Sequence, residues 1–92
     1  MKVAVTSSGN SLNSTIDDRF GRCNYFFIYD TTTKAMEFIP NPFKDANEGA
    51  GPSVVELLAS KEVEKIISSD FGLKVKPLLD SLKIQMVVIK DK

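Results

Sequence analysis

Short apolar runs separated by polar, glycine-containing segments make up the first part of this 92-residue chain. Residues 2–6 (KVAVT) are mostly β-branched and lead into a Ser-, Gly- and Asn-rich segment, which predicts a buried strand followed by a long loop. Residues 25–30 (YFFIYD) alternate two apolar sets, so we expect a strand that is covered on both faces. Residues 35–40 (AMEFIP) follow a short polar turn and end at a proline, which predicts a hairpin partner for that strand.

The second part of the chain begins with a helical pattern. Within residues 54–65 (VVELLASKEVEK), one helical face carries the apolar side chains Val54, Leu57 and Leu58, joined by Val55. We expect a helix there, entered from the Gly-, Pro- and Asn-rich loop before it. The brief apolar run at residues 65–69 (KIISS) predicts a fourth strand directly after the helix.

A second helical pattern runs from about residues 74–76 to Leu82. Its apolar positions have the spacing i, i+3, i+4 and i+7, and they are Val75, Leu78, Leu79 and Leu82. Pro77 is compatible with this helix only in the first turn, because proline lacks a backbone N–H. Residues 83–90 (KIQMVVIK) then predict a final buried strand.

The element order β-β-β-α-β-α-β limits the topology. Three strands joined by short turns form an antiparallel meander, and each later strand runs parallel to its sheet neighbour after a right-handed helical crossover. The expected sheet is mixed, with strand order 3-2-1-4-5. Its carboxyl edge brings together the loops at residues 7–23, 41–51 and 68–72, and ligands of open α/β sheets usually bind at this edge.

Composition narrows the classes of function. Lys+Arg and Asp+Glu both total 12 and the sequence pI is about 6.2, so we expect no nucleic-acid partner, because phosphate-backbone binding requires a basic surface. We expect one domain over residues 1–92 in the cytoplasm, with no membrane association, since no apolar run approaches membrane-spanning length. The chain has no histidine, which removes the commonest general base and metal ligand.

The chain's one cysteine lies in a charged turn, residues 17–23 (DDRFGRC). Arg19 and Arg22 are expected to lower the pKa of Cys23 and favour the thiolate, which binds soft metals and iron-sulfur clusters. The alternative is that Cys23 is a small buried hydrophobic residue. In either case the apolar ring of Phe20 can be buried beneath the loop, and Gly21 can provide the bend before the aromatic strand.

A second motif precedes the first helix, at residues 47–53 (NEGAGPS). Gly49 and Gly51 permit positive φ and close approach of a ligand, and the free N–H groups of the first helical turn, near Ser53, attract an anion or an electronegative sulfide. The alternative is that Gly-Pro simply begins a helix, since proline is favoured at the first helical position.

A metal-dependent nuclease is the enzymatic alternative. Carboxylates that can reach the carboxyl edge are Asp17, Asp18, Glu48 and Asp70. A two-metal site needs acids fixed on rigid elements, whereas these lie mostly on loops and the first strand carries none.

The segments MKVAVTSSG, IDDRFGRCNYFFIYD, GAGPSVVELLASKEVEKII and DFGLKVKPLLDSLKIQMVV together resemble the dinitrogenase iron-molybdenum cofactor biosynthesis family. The resemblance implies a three-layer α/β/α ribonuclease-H-like fold and a non-enzymatic role, namely binding or carriage of an iron-sulfur or iron-molybdenum cofactor precursor. The family positions that carry over are Phe20, Gly21 and Arg22 with Cys23 beside them, and Gly49, Ala50 and Gly51. The loop at residues 70–72 matches another family turn.

The expected ligand is therefore a metallocluster or a small anion, with cluster-assembly proteins as partners and a monomer or weak homodimer as the oligomeric state. Cys23 is the expected metal ligand, and Ser53 joins the expected cofactor-binding residues. A second hypothesis from a different class is a regulatory or interaction module that binds a small anion or a partner protein without metal.

Overall fold

The computed structural model describes residues 1–71 and 74–89. The expected turn at residues 70–72 lies partly outside the described residues. In chain order the elements are β1 (Lys2–Ser7), β2 (Tyr25–Asp30), β3 (Met36–Pro40), α1 (Ala50–Ser60), β4 (Val63–Ser68), α2 (Lys76–Ser81) and β5 (Gln85–Val88).

The strands form one five-stranded sheet in the order β3-β2-β1-β4-β5. Strand β2 is antiparallel to both β1 and β3, whereas β4 is parallel to both β1 and β5. The predicted α/β class, the mixed sheet and the strand order are confirmed. The loops that follow β1, β3 and β4 consequently meet at one edge of the sheet, where the sequence motifs lie.

Helix α1 lies several residues earlier than the predicted segment 54–65. It begins directly after Gly49, whose left-handed φ of 76° turns the chain into the helix. It ends because the N–H groups of Lys61 and Glu62 bond back to Leu58 and Ala59, and Glu62 has a φ of 65°. Residues 63–65 therefore begin strand β4, although their pattern had predicted helix.

Helix α2 is a short helix that begins at the end of the predicted interval, with Pro77 in its first turn. It stops at Ser81 because Lys83 takes a positive φ of 60°. Val75 and Leu79 are buried as expected, but Leu78 and Leu82 remain 38% and 48% exposed. Half of the expected apolar face of this helix thus contacts solvent.

The core lies on the helical face of the sheet. Alternate strand positions there are fully buried together with residues of both helices, and the cluster includes Ala4, Phe26, Ile28, Ile66, Val54, Val55, Leu58 and Leu79. The helices meet where Gly51 of α1 lies against Val75, just before α2. Burial of alternate strand positions against apolar helical faces is the main stabilising contribution in such a fold.

The other face of the sheet is covered less completely. Phe27 is half-buried and packs against Phe38 and Tyr29, with ring centroids 4.9 and 6.5 Å apart. A cavity of about 220 Å³ separates this face from the loop at residues 11–16. Within residues 1–71 and 74–89 both helices lie on the opposite face, so these residues do not build the third layer of the expected three-layer architecture.

A buried hydroxyl pair joins the carboxyl ends of the two central strands. The Thr6 hydroxyl of β1 donates to the carbonyl oxygen of Asp17 at 2.7 Å and lies 3.0 Å from the Ser68 hydroxyl of β4. The N–H of Asp17 also donates to the Thr6 carbonyl. These bonds fix the start of the DDRFGRC turn to the centre of the sheet.

Within residues 1–71 and 74–89, neither helix combines the length and the apolar character that a membrane span requires.

Candidate functional site

The four residues of the FGRC turn are divided between the core and the surface. Phe20 is 2% exposed and packs against Phe26 and Phe71, with ring centroids 6.4 and 5.3 Å apart. Cys23 is fully buried, and its thiol donates to the carbonyl of Phe20 at 3.6 Å. Gly21 and Arg22 lie between them, partly exposed. Phe20 is therefore buried beneath the loop, as the sequence predicted. Of these four residues, only Gly21 and Arg22 can contact a ligand directly.

The two glycine motifs are in direct backbone contact. A Cβ atom on Gly21 would lie 3.0 Å from the nitrogen and 3.1 Å from the Cα of Gly51, and 3.3 Å from the carbonyl carbon of Ala50. Contacts this short with backbone leave no room for a side chain, so glycine is required here for the FGR turn to reach the first turn of α1. The predicted convergence of the two motifs at one edge of the sheet is thus present.

The amino end of α1 offers backbone donors at this contact. No side chain caps the helix, and its first turn contains no acidic residue. The N–H of Ser53 is used within the helix, bonding to the carbonyl of Gly49. Pro52 has no N–H, so the N–H groups of Ala50 and Gly51 are the first-turn donors that precede the intrahelical ladder, and the helix dipole favours an anion near them.

A groove of about 600 Å³ opens over this contact. It contains four of the expected glycine-motif residues and Arg22, together with residues that the sequence did not single out; its lining consists of Gly21, Arg22, Glu48, Gly49, Ala50, Gly51, Pro52, Phe71, Lys74 and Val75. Arg22 and Lys74 provide two positive charges against the single carboxylate of Glu48. Ser53 is half-buried behind this lining and is not part of it.

Arg22 reaches across to the loop that leads to α1. Its Nη1 donates to the carbonyl of Lys44 at 3.1 Å and also to the carbonyl of Ala46. In return, the side chain of Asn41 donates to the carbonyls of Gly21 and Cys23, each at 3.0 Å. Asn41 and Lys74 were both missed from the sequence. The Asn-Pro pair directly after β3 was the signal for Asn41, since asparagine side chains commonly bond to the backbone of turns.

The expectation for the Cys23 thiol was wrong. Burial, with a further contribution from the negative charge of Asp17, raises the pKa of Cys23 to about 12, and the opposing effect of Arg19 is smaller. Arg22 is turned to the loop carbonyls instead. Because the thiol is neutral and enclosed in the core cluster, Cys23 does not present a thiolate to a metal at this edge.

Asp17 stabilises the conformation of the DDRFGRC turn. Its carboxylate accepts bonds from the N–H of Arg19 at 3.0 Å and from the Arg19 guanidinium at 3.2 Å. This hydrogen bond, followed by the attraction between the two charges, raises the pKa of Arg19 above its ordinary value. Among the residues that the structure describes, no three His, Cys, Asp or Glu side chains are close enough to hold a metal ion together. The acid cluster that a two-metal nuclease needs is therefore missing from the described part of the edge.

The sheet order, the helix pair on one face and the edge groove define a mixed five-stranded α/β domain with a candidate ligand site at its carboxyl edge. The sequence matches the dinitrogenase iron-molybdenum cofactor family over residues 1–92, and the chain belongs to that family. Membership associates the chain with the biosynthesis or carriage of this cofactor. No protein of curated function matches the chain in sequence.

Solved structures agree with this assignment. A candidate NifB protein from Thermotoga, determined by NMR, is 38% identical with a TM-score of 0.83; the match covers 97% of this chain and 76% of that one. The apo form of the orange protein from Desulfovibrio gigas is 29% identical with a TM-score of 0.86, covering 92% of this chain and 72% of that one. A third structure, 21% identical with a TM-score of 0.81 and coverages of 96% and 78%, shares the fold.

Proposed function

We propose that this protein binds and carries an anionic iron-molybdenum or iron-sulfur cofactor precursor in the groove between its two glycine motifs, without acting as an enzyme. The observation that carries the proposal is the packing of Gly21 against Gly51, which brings the Arg22 side chain and the first N–H groups of α1 to one groove. Lys74 adds a second cation to the lining. Membership of the iron-molybdenum cofactor family and the described apo form of the orange protein support a ligand-binding role.

The donor set of the groove fits a cargo that is already fully coordinated. Sulfide or oxo edges of an anionic cluster can accept hydrogen bonds from the Ala50 and Gly51 amides and attraction from Arg22 and Lys74. The chain has no histidine and its one thiol is buried, so the groove offers neither of the usual protein ligands of iron. The groove would thus hold its cargo through hydrogen bonds and charge, an arrangement that permits transfer to cluster-assembly proteins.

Anaerobic uptake tests the proposal. The protein is incubated with isolated iron-molybdenum cofactor, separated from free cofactor by gel filtration, and analysed for molybdenum, iron and charge-transfer absorption. We expect about one cofactor per chain. The Cys23→Ala variant is the decisive control, because a groove-bound cargo leaves its uptake unchanged. Loss of uptake in folded Cys23→Ala would show thiolate ligation and contradict binding in the groove, and no uptake by the intact protein would contradict carriage itself.

A regulatory module that binds a small anion is the second candidate, since the same amides and cations suit any compact oxyanion. Titration with molybdate, phosphate and sulfate separates the two. Micromolar binding of one of these anions by a protein that takes up no cluster favours the regulatory function. Oligomeric state and protein partners remain predictions from the family resemblance.

A further inference from the structure

Two side chains tie the FGRC turn to the loop at residues 41–46, which leads to the Gly49 bend of the groove, from opposite directions. Asn41 lies just after β3 and is 5% exposed, and its Nδ2 donates to the carbonyls of Gly21 and Cys23. The Oδ1 of the same side chain accepts the N–H of Phe43 at 2.9 Å. All the hydrogen-bonding capacity of the Nδ2 group is thus used between the FGRC turn and the loop at residues 41–46.

Arg22 makes the reciprocal connection. Its Nη1 donates to the carbonyls of Lys44 and Ala46, three to five residues before the Gly49 bend. Within residues 1–71 and 74–89, Nε and Nη2 of the same guanidinium have no hydrogen-bond partner. One nitrogen of the group therefore holds the loop, and Arg22 is at the same time a lining residue of the groove, with further N–H donors for a ligand.

We propose that Asn41 and Arg22 are positioning residues that set the distance between the two walls of the groove, the FGR wall (residues 20–22) and the GAG wall (residues 49–51), and that Arg22 also contacts the ligand. This inference rests on the proposed function. The loop at residues 41–48 contains no helix or strand; the Asn41 N–H bonds to the Asn24 carbonyl and Phe43 packs against the core, while these side-chain bonds link the loop to the FGRC turn. Because Asn41 is buried, loss of its donors leaves two carbonyl oxygens without their partners, and the loop that leads to Gly49 is released.

The experiment uses two substitutions with matched controls and two readouts. Asn41→Asp keeps the shape but replaces the Nδ2 donors with an oxygen that repels both carbonyls. Asn47→Asp introduces the same charge at an exposed position of the same loop. Arg22→Lys retains the charge, but an ammonium group cannot span two carbonyls and a ligand as a guanidinium does. Lys44→Arg is the control for a change of cation on this loop.

The first readout is backbone mobility, measured by ¹⁵N relaxation of the amides at residues 46–51 without ligand. We expect faster internal motion of these amides in Asn41→Asp and Arg22→Lys than in the controls, with the amides of β1 and β4 unchanged. A merely structural role would lower global stability without this local change. Rigid 46–51 amides in either folded variant would overturn the inference. If Asn41→Asp does not fold, Arg22→Lys alone decides.

The second readout is the dissociation constant of tetrathiomolybdate, used as a small molybdenum-sulfur anion. We expect binding about tenfold weaker in Asn41→Asp and Arg22→Lys, the scale of one or two lost hydrogen bonds, and within about twofold of wild type in the controls. Equal weakening in Asn41→Asp and Asn47→Asp would show that the added negative charge alone explains the loss of affinity. That result would contradict a positioning role for Asn41. If wild type binds no anion or cluster, the proposed function fails, while the relaxation measurement still decides whether the two side chains hold the walls.

Discussion

Asp17 and Cys23 are coupled through charge across the turn that joins β1 to β2. The carboxylate of Asp17 adds to the effect of burial in raising the pKa of the Cys23 thiol to about 12. Asp17 in turn is held by Arg19 and by the hydroxyl of Thr6 through its backbone. The thiol that gave the motif its reactive character in sequence is therefore kept neutral mainly by burial, and the acid that organises the turn adds to this effect.

Alkaline stability should depend on Cys23. In the unfolded chain the thiol ionises near its ordinary pKa of 9.0, and in the folded protein only near 12. Below pH 9 both states are protonated and the thiol's contribution to stability is fully present. Between about pH 9 and 12 the unfolded state releases its proton first, so stability falls by up to about 1.4 kcal/mol per pH unit. Urea denaturation of wild type and Cys23→Ala at several pH values measures this. Parallel curves for the two proteins across that window would contradict the shifted pKa.

Removing the charge of Asp17 should make the thiol easier to ionise. Asp17→Asn keeps an oxygen that can accept the Arg19 N–H but loses the negative charge that disfavours the thiolate. We expect the Cys23 titration, followed by thiolate absorbance near 240 nm, to begin at lower pH than in wild type. The exposed neighbour Asp18 provides the control, and Asp18→Asn should titrate like wild type. An unchanged titration in Asp17→Asn would mean that burial alone sets the pKa.

A single methyl group at Gly21 should destabilise the fold and disturb the groove. The added Cβ would press on backbone atoms of Gly51 and Ala50, which cannot rotate away as a side chain can. We expect Gly21→Ala to cost about 1–3 kcal/mol of unfolding free energy, the range for overpacking, measured by urea denaturation. Gly49→Asn is the control, because its Cβ meets no atom within 4 Å and asparagine tolerates a positive φ. A stability of Gly21→Ala equal to that of wild type would contradict the close contact.

Lys74 should contribute to ligand binding through its charge. It lines the groove, whereas Lys76, two residues further along the chain, does not. Lys76 instead pairs with Asp80 at a distance of 2.9 Å. We expect Lys74→Gln to weaken tetrathiomolybdate binding several-fold at low salt, and less at high salt because exposed charges are screened. Calorimetric titration at two ionic strengths measures this, with Lys76→Gln as the control. Equal losses in both variants would indicate only a nonspecific effect of net charge.

Much of the architecture could be predicted because it follows from connectivity. Short turns produce the meander, helical crossovers produce the parallel strands, and together they bring the FGR and GAG motifs to one edge. The end of α1 was misplaced because the pattern of residues 63–65 is compatible with a helix, and only the tight turn at Glu62 excludes it. Periodicity also overestimated the buried face of α2, since Leu78 and Leu82 extend past the edge of the core.

The site was predicted less completely for a physical reason. Proximity in sequence placed Arg19 and Arg22 near Cys23, but the effect on a thiol depends on where each group points and on how much water remains around it. Here the thiol turns inward and Arg22 turns to the loop carbonyls. The Asn-Pro pair marks Asn41 only as a turn residue, because its role comes from contacts with residues about twenty positions earlier, which a local pattern does not identify.

The central position of β1 has a consequence for synthesis of the chain. This strand is synthesised before both of its partners, and β2 can pair with one of its edges soon afterwards. The other edge must await β4 at residues 63–68, which is made only after β2, β3 and α1. Until then the nascent protein exposes an unpaired apolar strand edge, the feature that most readily recruits other chains. The protein is thus at greatest risk of aggregation while it is still being translated, and chaperone protection would matter most in that interval.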